Sequence, residues 1–585
     1  MQIIIISMPR IAIIDKLKCK PLKCNKECMK RCPVQQTGRI VIDIEDMTSA
    51  TIDESGCNGC NQCTTVCPYK AIKIVNVPEK VPNDIMHRYG ENEFQLYRLP
   101  KLSKNKVITL IGQNGIGKST VLNILTGQIR PNFGDLTGVQ DISTKFRGSV
   151  LKLYFEQLLS NQLTFSIKEQ KIKHMREHSI TIKEYIDLNN LHINDWYHML
   201  ELYKIQDTNI INLSGGELQR FYCWITCSKQ ANVYIFDEPT NFLDIKQRLI
   251  VGQMIKSCVN EDNYVITVEH DMSIADYLSD EVVILFGEPG SYGVCTDPLT
   301  VNNGINEYLE GFISKMNLRF RDYTFDLTPS NLTEEKVVIV PATAIPYTGT
   351  IINYPSLKLI IPNGNVYLNG SINIILGANG TGKSTFMKYI QKMFPSISSY
   401  KQQIMCVQKS VSTVLEYLHC DNYHSSLFKS QVKNVLKIGQ LETKLLSQLS
   451  GGELQKVMIC KTLLIETNIY LLDEPSSNLD IESRLDVIKA IKRYMADTNK
   501  TLYIIEHDIM MCMSLSLEYG SRTIILSKVG DTSLISFPDT VKEGINSFLQ
   551  ELNVTIRLGG FNRPRINKHL STMDKKQKLE GNYYV

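Results

Sequence analysis

The sequence predicts an α/β protein in three parts: a small cysteine-rich α+β domain, then two tandem copies of one phosphate-binding α/β domain. Three observations carry that expectation. Eight of the 16 cysteines fall between Cys19 and Cys67. A glycine-rich segment, GQNGIGKST at 112–120, returns as GANGTGKST at 377–385. Downstream of each, an apolar run ends in Asp-Glu, VYIFDE at 233–238 and IYLLDE at 469–474.

Composition sets the outer bounds. A chain of 585 residues, 43% hydrophobic and 21% charged, is long enough for several domains with full cores. A formal charge of +4 over that length does not by itself argue for nucleic acid, so basic surface has to be sought locally. No apolar run reaches the roughly 18 residues of a membrane span, and the opening QIIIIS is shorter than a signal peptide's apolar core. A cytoplasmic chain with no membrane partner is expected, its first strand at RIAII, 10–14, behind a short extension.

Along the chain the cysteines come first. Cys57, Cys60, Cys63 and Cys67 before Pro68 reproduce C-x2-C-x2-C-x3-C-P, the run that wraps thiolates round a [4Fe–4S] cluster. Cys19, Cys24, Cys28 and Cys32 before Pro33 give a looser copy. In two-cluster ferredoxins the fourth cysteine crosses over. One cluster is therefore expected on Cys57, Cys60, Cys63 and Cys32, the other on Cys19, Cys24, Cys28 and Cys67. Paired C-x2-C units also hold zinc, but a proline behind each fourth cysteine favours iron. A disulfide framework does not suit a cytoplasmic chain. The bacterial-ferredoxin-like domain is placed at 1–78.

Each glycine-rich segment fits G-x-x-x-x-G-K-[ST] between an apolar run and a helix-like run, the context of a P-loop. Gly112, Asn114, Gly115 and Gly117, and again Gly377, Asn379, Gly380 and Gly382, shape a backbone cradle for phosphates at a helix N-terminus. Lys118 or Lys383 meets the β- and γ-phosphates. Ser119 or Ser384 offers its hydroxyl to Mg²⁺, and Thr120 or Thr385 closes the motif, so ATP with Mg²⁺ is expected. Four apolar residues before Asp237 and before Asp473 mark buried parallel strands whose tips bring a carboxylate to the metal. Glu238 and Glu474, next in line, are placed to orient or activate the attacking water.

Between these elements stand LSGGELQR, 213–220, and LSGGELQK, 449–456, where a serine and two glycines open a helix and leave bare N–H groups for an anion. This segment is similar to the signature of the ATP-binding-cassette (ABC) ATPases. The resemblance implies that Ser214, Gly215, Gly216 and Glu217 close on the nucleotide of the second P-loop, and Ser450, Gly451, Gly452 and Glu453 on that of the first. The two cassettes then pair within one monomer. The resemblance also assigns His270 (VEHD) and His507 (IEHD) to the γ-phosphate, and Asp244 (NFLD) and Asp480 (SNLD) to a D-loop across the interface. It calls for a metal-sensing glutamine, for which Gln170 and Gln403 are the candidates. Signature serines and strand-end aspartates are each 236 residues apart but P-loop serines 265, so the first cassette carries about 29 extra residues. They are expected near 145–165 as an amphipathic helix for a partner.

Two cassettes behind a two-cluster front end resemble the ABC-E family, also called RNase L inhibitor, from about Arg10 to the C-terminus. KCKPLKC, HRYG, FQLYRLP, FRGS, NLRFRD, RPRINK and GNYYV carry the likeness beyond the motifs. Departures are Glu169 where proline precedes the glutamine, and Phe242 and Asn478 where a tyrosine is usual. In this family an aromatic ahead of the first P-loop stacks on adenine; Tyr89 and Phe94 stand there. The resemblance implies cassettes at 79–315 and 331–552, a hinge at 316–330 and a hinge and tail at 553–585.

It further implies a ribosome-recycling ATPase that binds the small (40S) subunit and its rRNA after a release-factor-type termination protein, with initiation factors as further partners. ATP closes the cassettes and swings a stiff cluster domain, joined through NVPEKVPND. Lys16, Lys18, Lys20, Lys23, Lys26, Lys30, Arg31, Arg319, Arg321, Arg557, Arg563, Arg565 and Lys568 are then the phosphate-facing cations. The alternatives are an ABC-F-like translation factor, which lacks the cysteines, and an iron–sulfur redox protein with a regulatory ATPase, for which no flavin motif is present. A chromosome-organising ABC ATPase would need a far longer insertion.

Overall fold

The computed structural model describes residues 10–44, 49–77, 85–136, 142–170, 173–177, 179–325, 343–354, 357–368, 370–403, 412–516, 521–560 and 563–584. The opening extension, most of the NVPEKVPND connector and the end of the 316–330 hinge lie outside them. In the front domain Arg10–Ile14 pairs antiparallel with Ile72–Asn76, and Ile42–Asp43 with Thr51–Ile52. Two short helices, Glu27–Arg31 and Gln62–Val66, each start after a left-handed residue, Lys26 and Asn61, within a cysteine run. The buried core is small, centred on Ala12, Ile14, Ile42, Ile52 and Ile72 beside Cys28, Cys32 and Cys63. A core of that size is marginal alone, so thiolate–metal bonds are the natural source of rigidity.

The front domain sits on the first cassette. Buried Asn92 donates Nδ2 to Ile52 O (2.9 Å) and accepts from Ile52 N at Oδ1 (2.7 Å), while its own carbonyl accepts from Ile14 N (3.0 Å). An ion pair, Arg88 to Glu54 at 3.2 Å, closes the contact.

Each cassette builds a nine-stranded mixed sheet with the same strand order. In the first, Val107–Ile111 lies between Tyr264–Val268 and Glu281–Glu288, and Val233–Asp237 and Phe165–Lys168 continue the parallel set. In the second, Ile372–Gly377 lies between Thr501–Ile505 and Arg522–Val529, followed by Ile469–Asp473 and Ser398–Lys401. VITLI and INIILG are buried at every residue, which is why they show no alternation. Parallel strands end at one edge, so P-loop, Asp-Glu and the histidine segment emerge side by side.

The insertion differs from the single helix expected near 145–165. It forms two helices, Ile142–Lys145 and Leu151–Leu159, because Gly148 turns the chain between them with a φ of 80°. Leu151, Tyr154 and Phe155 face inward, Tyr154 donating its hydroxyl to Leu125 O (2.7 Å) beside the P-loop helix, while Val150 and Leu153 stay exposed.

Three expected phosphate-facing cations are instead tied to partners within the chain. Arg321 donates to Leu309 O (2.7 Å) and pairs with Glu482 of the second cassette (3.2 Å), its guanidinium 3.9 Å from the Phe325 ring centroid. The tail hairpin, Ile556–Leu558 with Pro564–Ile566, returns to the first cassette. There Arg565 forks onto Asp276 (2.8 and 3.0 Å), and Arg563, 2% exposed, reaches Asn302 (2.9 Å) and Asn306 (3.2 Å). Nearby carboxylates and amides outcompete solvent for these arginines, which fasten the hinge and tail.

Candidate nucleotide sites and cysteine centre

Gly117 and Gly382, both left-handed at φ 99° and 93°, stand immediately before the helices Lys118–Leu125 and Lys383–Met393. A Cβ on Gly117 would lie 2.7 Å from the Phe94 ring, so Phe94 packs beneath the loop. Tyr89, 47% exposed, bonds Thr120 (hydroxyl to Oγ1, 3.1 Å) and is the aromatic open to the cleft. In the second cassette Tyr354, 50% exposed, takes the register position of Tyr89 and Leu357 that of Phe94. Sequence reasoning missed Tyr354; its signal was a tyrosine at the end of a strand, Thr350–Tyr354, that precedes the second P-loop by three further strands. Lys118 folds over its loop onto the carbonyls of Gly112 and Gln113 (both 2.8 Å), and Lys383 onto those of Gly377 (2.9 Å) and Ala378 (2.7 Å). Burial lowers both ammonium pKa values to about 8, so a phosphate arriving here meets a cation that gains by pairing.

At the strand tips Glu238 and Glu474 have left-handed backbones, φ 50° and 45°, a conformation uncommon outside glycine. Each amide is held by the next strand, Glu238 N to Val268 O and Glu474 N to Ile505 O, both 3.0 Å, which keeps the strained turn in place. Gln170 Nε2 reaches Glu238 Oε1 (2.7 Å), and His270 Nε2 lies 3.1 Å from the same oxygen. Gln403 stands at the matching place, hydrogen-bonded to Glu474. The two picks are equivalent because each follows by two residues a buried lysine, Lys168 or Lys401, that ends the outer parallel strand. Those lysines were missed. Lys168 Nζ donates to Asp237 O (2.8 Å) and Glu238 O (3.0 Å), and Lys401 Nζ to Asp473 O (2.8 Å). Burial and the charge of Glu238 raise Asp237 to about 6, and burial lowers the pKa of His270 and of His507.

The signature serines cap their own helices. Ser214 Oγ accepts from Glu217 N and Glu217 accepts from Ser214 N, and Ser450 with Glu453 repeats the box. Across the cassette interface, Asp244 Oδ2 accepts from Asn379 N and Asp480 Oδ2 from Asn114 N, both 2.9 Å. Asn379 Nδ2 also donates to Phe242 O (3.3 Å). Each P-loop is thus capped by the other cassette's Asp244 or Asp480. Ser119, Asp237 and Gln170, and Ser384, Asp473 and Gln403, are the side chains able to hold Mg²⁺. The fit is supported by Asp473 Oδ1, buried without a hydrogen-bond partner among the described residues.

The cysteines gather around two points of the front domain. One cavity is lined by Cys32, Cys57, Cys60 and Cys63, with Val41, Ile42, Ile52 and Ile74 around it. Cys28 has Cys67, Cys24 and Cys19 as its charge neighbours. Burial pushes the Cys28 thiol to about 11 and Cys63 to about 12, so cluster loading must displace protons. Backbone N–H groups of Ala50, Gly59 and Ala71 point at Cys19, Cys57 and Cys67 sulfurs, each 3.4 Å. Among the described residues no three His, Cys, Asp or Glu side chains close on one point. Cys32, Cys57, Cys60 and Cys63 around one cavity supply the four thiolates that a four-iron cluster takes.

Reciprocally capped P-loops behind a double-cluster domain define a class, the twin-cassette ABC ATPases with an iron–sulfur front end. Comparison with known proteins agrees. The ABC transporter family matches residues 100–241 and 365–477, the possible Fer4-like domain in RNase L inhibitor 9–39, and the 4Fe–4S binding domain 50–73. The chain is 39% identical over 601 residues to "ABC transporter E family member 1" of Arabidopsis thaliana, covering 99% of each. It matches a chain of "Model of ribosome-bound archaeal Pelota and ABCE1" with a TM-score of 0.89 and 36% identity over 99% of both chains. A complex of archaeal ribosomal stalk protein aP1 with archaeal ribosome recycling factor aABCE1 gives 0.78 and 34%, over 86% of this chain and 99% of that one. The chain belongs to the ABC-E, or RNase L inhibitor, family. It is an ATPase that uses Mg²⁺ and carries [4Fe–4S] clusters. No helix among the described residues is long and apolar enough to cross a membrane.

Proposed function

We propose that this protein is a cytoplasmic ribosome-recycling factor in which ATP draws the cassettes together, closure moves the cluster domain against the small subunit, and hydrolysis resets the machine. The observation that carries this reading is the reciprocal capping of each P-loop by the opposite Asp244 or Asp480. Nucleotide occupancy at either site is then felt by both cassettes. Likeness along the whole chain to a ribosome-bound ABCE1 supports the ribosome as partner.

The composite sites divide the work. Mg²⁺, when bound, neutralises charge on the β- and γ-phosphates. Ser119, Asp237 and Gln170 would hold it in the first site, and Ser384, Asp473 and Gln403 in the second. Lys118 and Lys383 clamp the phosphates, Tyr89 and Tyr354 face adenine, and the Ser450 and Ser214 segments cap the nucleotide from across the interface. Glu238 and Glu474 orient the attacking water, with His270 and His507 beside the γ-phosphate. Residues 316–330 and 553–585 act as hinge and tail, and exposed Lys20, Lys23, Lys30 and Arg31 meet rRNA phosphates. A termination protein acts before this factor and initiation factors after it.

Prepared without oxygen, the Glu238→Gln/Glu474→Gln protein is expected to bind ATP without turning it over and to cosediment with 40S subunits only when ATP is present. Absence of ATP-dependent association overturns the reading.

A further inference from the structure

Asp473 is held differently from Asp237. Its side chain is fully buried, Tyr400 donates its hydroxyl to Oδ2 (3.1 Å), and Oδ1 has no hydrogen-bond partner among the described residues. Tyr400 lies on Ser398–Lys401, one residue before the strand's terminal lysine. The same register position on Phe165–Lys168 is Ile167, whose side chain packs into the apolar cluster of the first cassette and offers no donor.

The chemistry of a carboxylate makes this difference matter. Its terminal torsion is broad, so an unrestrained aspartate swings its oxygens between orientations. A donor on one oxygen fixes the plane and leaves the other oxygen presented in one direction. Outer partners of this kind set the affinity of an inner ligand. A buried carboxylate oxygen without a partner is also uncommon enough to point to a ligand that supplies one.

We propose that Tyr400 is a positioning residue that pre-sets Asp473 for the divalent cation of the second nucleotide site, and that the first site lacks this device. The inference rests on the reading of Asp473 as a metal-holding residue. Tyr400 acts through Asp473 and touches neither nucleotide nor cation, so its removal weakens the cation's contribution and spares metal-free nucleotide binding.

The test uses the full cluster-loaded chain, Mn²⁺ and a non-hydrolysable ATP analogue. Lys118→Ala confines the analogue to the second site, and the measured quantity is the ratio of analogue affinity with Mn²⁺ to that with chelator. Tyr400→Phe is expected to lower this ratio about tenfold and to leave the chelator value unchanged. In the reverse direction, Ile167→Tyr with Lys383→Ala raises the ratio at the first site. If Asp473→Asn collapses the ratio but Tyr400→Phe does not, the inference falls and the reading of Asp473 stands. If Asp473→Asn changes nothing, that reading falls and takes the inference with it. Loss of affinity in chelator as well would make Tyr400 a general support of the site and overturn the positioning role. Should Tyr400→Phe not fold, Ile167→Tyr decides, and no rise in the ratio overturns the proposal.

Discussion

The two nucleotide sites share their motif residues and differ in what surrounds them. Glu238 is held by Gln170 (2.7 Å) and His270 (3.1 Å) on one oxygen and by Asn241 (2.5 Å) on the other. Burial opposes its charge, yet the hydrogen bond to His270, with the charges of Lys118 and Lys168, brings it down to about 2. Glu474 has Gln403, but His507 Nε2 lies 3.7 Å away. Ser477, in the place of Asn241, turns its hydroxyl to the Glu474 carbonyl (3.0 Å) instead of the carboxylate. There burial wins, and Glu474 is raised above the usual carboxylate range. The first site thus holds a fixed, fully ionised acid and the second a looser, more basic one. The shared residues decide which atoms meet, and the positions that differ between the cassettes, Asn241 against Ser477, decide how each performs. A carboxylate near 2 orients water but accepts a proton poorly, whereas one raised toward neutrality accepts it better.

The largest effect that tests this comparison is loss of the carboxylate itself. With Lys383→Ala or Lys118→Ala confining the nucleotide, Glu238→Gln or Glu474→Gln is expected to lower single-site ATP turnover about 10²–10⁴-fold. An undiminished rate at either site ends the comparison, because that glutamate then takes no part in the chemistry. A smaller effect lies in pH. The group with the higher pKa takes up its proton first as pH falls, so the second site is expected to lose turnover at higher pH than the first, where Glu238 stays ionised down to about 2. Saturating Mg²⁺ removes the separate upward shift of Asp237, since a bound cation favours its ionised form. Single-site profiles with coincident acid limbs, or with the first site failing sooner, would show that the hydrogen-bond difference has no chemical weight.

Motifs made the cassettes, both P-loops and both Asp-Glu tips legible, because phosphate binding at a helix N-terminus restricts residue types at fixed spacing. The cysteine runs were legible for the same reason, and the crossed grouping reappears in the cavity lined by Cys32 with Cys57, Cys60 and Cys63. What the sequence hid was long-range pairing. Nothing near Arg563 announces Asn302 and Asn306, 261 and 257 residues away, and nothing near Arg321 announces Glu482. Charge in a sequence reads as surface until a partner is brought to it by the fold. Asn241, Ile167 and Tyr400 were hidden differently, since each matters only against its counterpart in the other cassette, Ser477, Tyr400 and Ile167. Phe94 was ambiguous because an aromatic ahead of a P-loop serves equally as floor or as stacking face, and only the close approach of Gly117 separates the two.

The smallest expected effect is also the most specific. Asn241→Ser takes one of three donors from Glu238, and Ser477→Asn offers one to Glu474. A hydrogen bond to a charged group is worth about 1.5–3 kcal/mol, so each exchange is expected to move the acid limb of its own site by about one to two pH units. The signs are opposed: losing a donor raises the pKa of Glu238 and its limb moves up, while gaining one lowers that of Glu474 and its limb moves down. Damage to the fold would depress both sites in the same direction and shift the melting temperature. Crossed movements with melting unchanged isolate the hydrogen bond as the cause, and limbs that stay in place would assign the difference between the sites to burial alone.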